Sequence, residues 1–205
     1  MSIQQRLVSQ FGHPRGPLGW VAGRIMSKRT SNVDRTLATI DLLDLSPTAG
    51  VLELGHGPGV GLERALAVVV DGSVVGLEQS TTMRSMAARR NRDAERSGRL
   101  TLVTADAQSP PPDIGQFDAI FSSNVWQFWS DPIETLRRWQ AHLTPGGTMA
   151  VTFRPPHPKA DEAEALGAGE RIVDHLPQAG YHDVRLERIQ IGDVPAVCGI
   201  GVAAP

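Results

Sequence analysis

The sequence predicts an α/β fold: a doubly wound, mostly parallel seven-stranded sheet with helices on both faces and an antiparallel C-terminal hairpin. Three observations lead to that expectation. Short apolar runs alternate with stretches of helical length from residue 31 onward. A loop with glycine at 55, 57, 59 and 61 directly follows the first of those runs, the strand–loop–helix order found where parallel sheets bind ligands. The last two apolar runs lie too close together to hold a crossover helix, so they must pair antiparallel.

The elements follow in order. In "SNVD", Ser31 and Asp34 form a capping box, and Val33, Leu37 and Ile40 recur at i, i+4 and i+7, which predicts an amphipathic helix ending before Pro47. "GVLELG" (50–55) reads as a buried strand, "GLERALAVVV" (61–70) as a helix and "SVVGLE" (73–78) as a second strand. The stretch 81–98 predicts one helix closed by Gly98, with Arg84, Arg89, Arg90, Arg92, Arg96 and Arg99 as a solvated face. "LTLVTAD" (100–106), "FDAIFSS" (117–123) and "GTMAVTF" (147–153) predict three more strands, with a helix at 132–143 between the last two that includes His142. A helix at 161–180 then leads to the hairpin of 184–192 and 196–204.

Composition restricts the function classes. A chain of 205 residues, 40% hydrophobic, has the size and apolar content of one domain. Net charge of −2 and a pI near 6.3 argue against a nucleic-acid partner held by a strong positive field. The charge is uneven: Arg6, Arg15, Arg24, Lys28 and Arg29 give residues 1–30 a charge of +5 with no acid, leaving −7 for the rest. That segment, rich in breakers, is expected to be an N-terminal basic arm or lid, with the catalytic domain at 31–205. Cys198 has no partner for a disulfide, and no cysteine cluster suggests a metal site. No signal peptide and no apolar run of roughly 18 residues is present, so a cytoplasmic protein without a stable membrane anchor is expected.

The glycine spacing discriminates between ligands. A dinucleotide loop needs G-x-G-x-x-G, and the positions that would complete it are Val60 and Leu62; no Gly-Lys-Ser/Thr follows, which excludes a phosphate-binding P-loop. What remains is an acid followed by G-x-G-x-G. Glu53-Leu54-Gly55-His56-Gly57-Pro58-Gly59 resembles the first motif of the class I S-adenosylmethionine-dependent methyltransferases, which are Rossmann-like seven-stranded enzymes. The resemblance extends in chain order through "VVGLEQS", "TADAQ", "FDAIFSSNVWQFWSDP", "LTPGGTMAVTF" and the terminal hairpin, covering roughly residues 32–205.

The resemblance implies S-adenosylmethionine as cofactor and assigns roles by position. Gly55, His56, Gly57 and Gly59 would meet its amino-acid end, and Glu53 its ammonium. Glu78, with Gln79 beside it, would bind the ribose hydroxyls, since a carboxylate accepts two hydrogen bonds side by side. Asp106 and the Ala107 N–H would face the adenine. Each has a blander alternative: Glu53 as a strand acid bonded to nearby backbone, Glu78 as a cap for the next helix, Asp106 as a turn residue.

On the acceptor side, Asn124, Trp126, Phe128 and Trp129 fall within six positions at the end of the fourth strand. They suggest a pocket wall that could stabilise a cation, with core packing as the alternative for the aromatics. Asn124 also belongs to the expected cofactor contacts, and its sequel lacks the Pro-Pro-Tyr run of DNA amino-methylases. His13, in the basic arm, and His56 are candidate bases, each with a plain turn or loop role as the alternative. The expected activity is methyl transfer to a small-molecule or lipid-like acceptor, without metal or nucleic acid; a homodimer is the assembly allowed for. The alternatives are a non-catalytic cofactor-binding scaffold and a lipid-surface enzyme docking through the arm.

Overall fold

The computed structural model describes residues 30–157 and 159–204. Its elements are α1 (Thr30–Asp41), β1 (Gly50–Leu54), α2 (Val60–Val68), β2 (Ser73–Leu77), α3 (Thr81–Arg90), α4 (Arg92–Arg96), β3 (Leu100–Val103) and β4 (Phe117–Ser123). After a 3-10 turn at Trp126–Phe128 come α5 (Pro132–Gln140), β5 (Leu143–Phe153), α6 (Glu162–Gln178), β6 (His182–Ile189) and β7 (Ala196–Val202). The expected basic arm, with Phe11, His13 and Trp20, lies outside the described residues.

The seven strands form one sheet in the order β3-β2-β1-β4-β5-β7-β6. β1 to β5 pair in parallel, and β7 inserts antiparallel between β5 and β6, as the short connection predicted. Alternation along β1 sends Leu52 and Leu54 into the core under α5 and α6, with Trp139 and Ile172. Val51 faces the opposite core, with Ile40 of α1, Leu62 and Ala65 of α2, and Ala87 of α3. Chain order reverses between β1 and β4, so the crevice for a ligand opens at their carboxyl ends, where Leu54 pairs with both Leu77 and Ser122. No helix among the described residues is long and apolar enough to cross a membrane.

Four expectations change. The helix predicted over 81–98 breaks at Asn91, whose φ of −111° and ψ of 26° interrupt it. The cause is tertiary: the buried Asn91 amide donates to the Gly59 carbonyl at 3.1 Å and the Ala87 carbonyl at 3.2 Å, tying α3 to the glycine loop. The arginine face is also only partly solvated. Arg99 caps the end of α2 through the Leu66 and Val69 carbonyls, Arg90 reaches the Pro58 carbonyl and Glu63, and Arg84 reaches the Leu102 carbonyl. His142 falls in the turn after α5, against Trp139 and the Gly115 carbonyl.

The fourth change concerns α1. It already includes Thr30 and Ser31, so the Ser31–Asp34 box does not mark its start. It buries Arg35, Thr36 and Thr39 against the sheet, while Val33 and Leu37 stay half-buried; only Ile40 of the predicted apolar stripe is fully covered. The seam is held by hydroxyl pairs: Thr39 Oγ1 lies 2.7 Å from Thr152 Oγ1, and Thr36 Oγ1 donates to Ser123 Oγ at 3.4 Å. Asn32, Arg35, Thr36 and Thr39 fall at i, i+3, i+4 and i+7, a helical face written in polar residues.

Replacing Asn91 with Ala leaves the Gly59 carbonyl without its side-chain donor in a buried place. The expected loss is about 1–3 kcal/mol in urea denaturation followed by circular dichroism; an unchanged midpoint would mean that the amide does not hold α3 to the loop.

Candidate functional site

The glycine loop joins β1 to α2 and is pinned to the end of β2, since the Gly55 and His56 N–H groups both donate to the Leu77 carbonyl. Its glycines have separate reasons. A Cβ on Gly55, where φ is +69°, would come within 2.5 Å of Val125, and one on Gly59 within 2.8 Å of Ala87 and Asn91. On Gly61 a Cβ would strike the carboxylate of Glu53. Gly57 differs: with φ of +50°, its missing Cβ points into space where nothing lies within 4 Å. Three of the four glycines therefore admit neighbouring protein, and one borders an opening.

Glu78 follows β2 and is 9% exposed. Its carboxylate accepts from the Gly57 N–H at 3.1 Å and from the Ser80 N–H at 2.8 Å, so it braces the glycine loop against the start of α3. The capping role weighed for this residue is thus real, and Ser80 adds its own cap to the Met83 N–H. Gln79, beside it, is exposed.

Glu53 shares the Val51 face and lies beneath α2, fully buried, with Oε2 lacking a partner among the described residues. Burial first, then repulsion from Glu78, raises its pKa well above the usual carboxyl value, against a hydrogen bond from the Leu62 N–H. His56 packs over Gly76 of β2. Its Nδ1–H donates to the Gly57 carbonyl at 2.8 Å, leaving Nε2 bare and buried. Burial pushes its pKa down to about 4, so the ring is neutral near pH 7 and a weak base.

The loop after β3 is the third wall. Asp106 is exposed and accepts from the Gln108 N–H at 2.9 Å, the turn role weighed for it. The Ala107 carbonyl accepts from Trp139 Nε1 at 2.6 Å, and Gln108 Oε1 accepts from the Ser130 N–H at 2.6 Å and its hydroxyl at 2.8 Å. Trp139, Gln108 and Ser130 were not anticipated; their partners are main-chain or hydroxyl groups far along the chain, which no local spacing marks.

At the end of β4 the expected pocket wall divides. Asn124 adopts φ of +56°, and its amide is engaged at both ends by Arg154: Nδ2 donates to the Arg154 carbonyl and Oδ1 accepts the Arg154 N–H, each at 2.8 Å. Trp126 is 8% exposed and sits in the core against Phe153, His175 and the guanidinium of Arg171. Trp129 is buried as well, and Phe128 alone of the four is open, at 51%. The Asn124 amide is thus committed to Arg154 and the Trp126 indole to packing. Arg35 and Arg154, which converge here, were missed because attention fell on apolar periodicity. No group of three or more His, Cys, Asp or Glu among the described residues could hold a metal ion.

Residues 52–151 match a family described as methyltransferase domain. The uncharacterized methyltransferase YdaC of Bacillus subtilis is 25% identical over 178 residues, which cover 87% of this chain and 95% of that protein. The phosphoethanolamine N-methyltransferase of Triticum aestivum is 29% identical over 168 residues, 77% of this chain but only 33% of the plant protein. A SAM-dependent methyltransferase from Aquifex aeolicus shares the fold, with a TM-score of 0.71 and 16% identity over 89% of this chain and 98% of that one.

The two buried groups under the loop have opposite pH dependence. The unfolded chain protonates His56 first, so its contribution to stability is lost as pH falls from the usual 6.5 to about 4. Glu53 keeps its proton longer when folded, so its contribution is full below 4.5 and is lost as pH rises through its raised pKa. Glu53→Gln mimics the protonated form, and urea denaturation between about pH 4 and 9 should show it gaining stability on the parent protein as pH rises. Parallel curves would place the Glu53 carboxylate in water.

Proposed function

This chain belongs to the class I S-adenosylmethionine-dependent methyltransferases, and we propose that it methylates a small-molecule or lipid-like acceptor in the crevice at the carboxyl ends of β1, β2 and β4. The observation that supports this most is the pairing of open space at Gly57 with the Glu78 carboxylate, which touches the same residue's N–H. A Cβ would fill the one gap in an otherwise tightly packed loop, and a preorganised acceptor stands at its border. Those features suit a molecule with an amino-acid end and a ribose. S-adenosylmethionine, when bound, supplies an electrophilic methyl group.

In this reading the amino-acid end rests against the opening at Gly57, where no Cβ stands in its way, and Glu78 accepts from the ribose hydroxyls. The exposed Gln79 edges that position, and Asp106 and Ala107 border the adenine. Glu53 acts from beneath the loop: an arriving cation offsets both burial and the Glu78 charge, and so favours ionised Glu53. His56 holds the loop's shape through Gly57 rather than moving a proton. What the chain contributes to the reaction is orientation and exclusion of water, for which positioning alone is worth about 7–11 kcal/mol. The acceptor named for the wheat relative, phosphoethanolamine, is one small molecule of the class envisaged.

Calorimetry should show S-adenosylhomocysteine binding and no NAD binding; the reverse result would overturn the reading. Glu78→Ala should weaken the first by at least about tenfold, since charge-assisted bonds are lost with the brace on the loop. Gly57→Ala should abolish it with the fold retained by circular dichroism, because the new methyl enters open space at a cost of about 1–2 kcal/mol for the left-handed backbone.

A further inference from the structure

The polar seam under α1 contains one group that the fold does not need as a charge. Thr39 ties the helix to β5 through a neutral hydroxyl pair, and Thr36 reaches Ser123 in the same way. Arg35, on the same face, is 6% exposed; its Nε donates to Ser123 Oγ at 2.7 Å and its Nη1 to Asn32 Oδ1 at 3.2 Å. Both partners are neutral. A hydroxyl or amide side chain could make such ties without placing a cation in the interior.

A second cation faces it. Arg154, at the end of β5, donates from Nε to the Val194 carbonyl at 2.9 Å, again a neutral partner. Burial first, and then repulsion from Arg154, lowers the Arg35 pKa to about 10. Among the described residues neither guanidinium forms an ion pair, although Arg64, Arg90, Arg137, Arg138 and Arg188 each reach a carboxylate within 3.0 Å. The segment 1–30 has no Asp or Glu to offer. A buried cation without a counter-ion is strongly unfavourable, and planar guanidinium donors match the oxygens of a carboxylate or phosphate.

The location gives this pair a purpose. Ser123 follows Ser122, which pairs with Leu54, the residue before Gly55; Asn124 clamps the Arg154 main chain beside it. The two arginines therefore stand at the crevice edge next to the glycine loop. We infer that the methyl acceptor is an organic anion, whose carboxylate or phosphate oxygens are held by Arg35 with Arg154 beside it; this rests on the methyl-transfer reading. Arg35 then fixes the acceptor's anionic end and so selects which substrates are oriented for reaction.

The test uses the full chain saturated with S-adenosylhomocysteine, titrated at constant ionic strength with inorganic phosphate, citrate and, as a neutral control, glycerol. The arginine Nε–H resonances are followed by NMR. Saturable shifts at Arg35 and Arg154 with phosphate or citrate, and none with glycerol, are expected, and the anion that binds more tightly names the class. Arg35→Lys keeps the charge but loses the planar donors, and should weaken the anion by at least about tenfold. Non-saturable shifts spread over all arginines, or none at Arg35, would overturn the inference, and the parent protein decides this even where Arg35→Lys fails to fold. Failure of S-adenosylhomocysteine to bind is scored separately and counts against the methyl-transfer reading, because the anion titration can be run on the protein alone.

Discussion

Two backbone N–H groups, from Gly57 in the loop after β1 and from Ser80 at the start of α3, converge on the carboxylate of Glu78. The geometry of the crevice depends on that convergence. β1 and β2 are already in register, with Leu54 beside Leu77, but the loops beyond a strand end are not held by the ladder. Glu78 extends the order of the sheet by one further layer using a side chain in place of a strand. An ionised acceptor of two N–H donors makes stronger bonds than a neutral one. The loop is thus shaped before any ligand arrives.

That rigidity has an electrostatic counterpart. Burial raises the energy of ionised Glu53, and the Glu78 charge at the rim above it adds to the effect. The fold tolerates the strain because Gly61 leaves room for the carboxyl group and the Leu62 N–H supplies one hydrogen bond. The second acid in the loop region is therefore not a second copy of the first. One is braced and close to the surface; the other is interior and responsive to charge. His56, neutral and bonded to the Gly57 carbonyl, completes the underside without adding a cation that would quench that response.

The succession of strands and helices, the C-terminal hairpin and the glycine loop were readable from the chain because each is encoded locally, by apolar runs, short connections and residues without Cβ. The features that escaped have their causes elsewhere in space. Asn91 sits in a helix-compatible stretch and breaks it for the sake of Gly59, 32 residues away. Arg90 and Arg99 look like solvent-facing cations until the carbonyls of Pro58, Leu66 and Val69 are placed beside them. Asn124 was expected at the acceptor and cofactor side, and the sequence did not foreshadow its left-handed turn or its clamp on Arg154. The buried face of α1 was misjudged because its period is carried by Asn32, Arg35, Thr36 and Thr39, and a search for apolar recurrence passes over them.

The same helix has unequal ends. Its later part and the turn that follows bury Ile40 and Leu43 in the core beside the Thr39–Thr152 hydroxyl pair, whereas the turn before it rests on the Arg35 guanidinium and the Thr36 hydroxyl. Apolar attachment favours the C-terminal end, and polar contacts of the kind at the N-terminal end exchange readily with water. Such a helix can lift at one end while anchored at the other. Local opening of α1 is therefore expected to begin at Asn32 and run toward Ile40, the end that apolar burial holds.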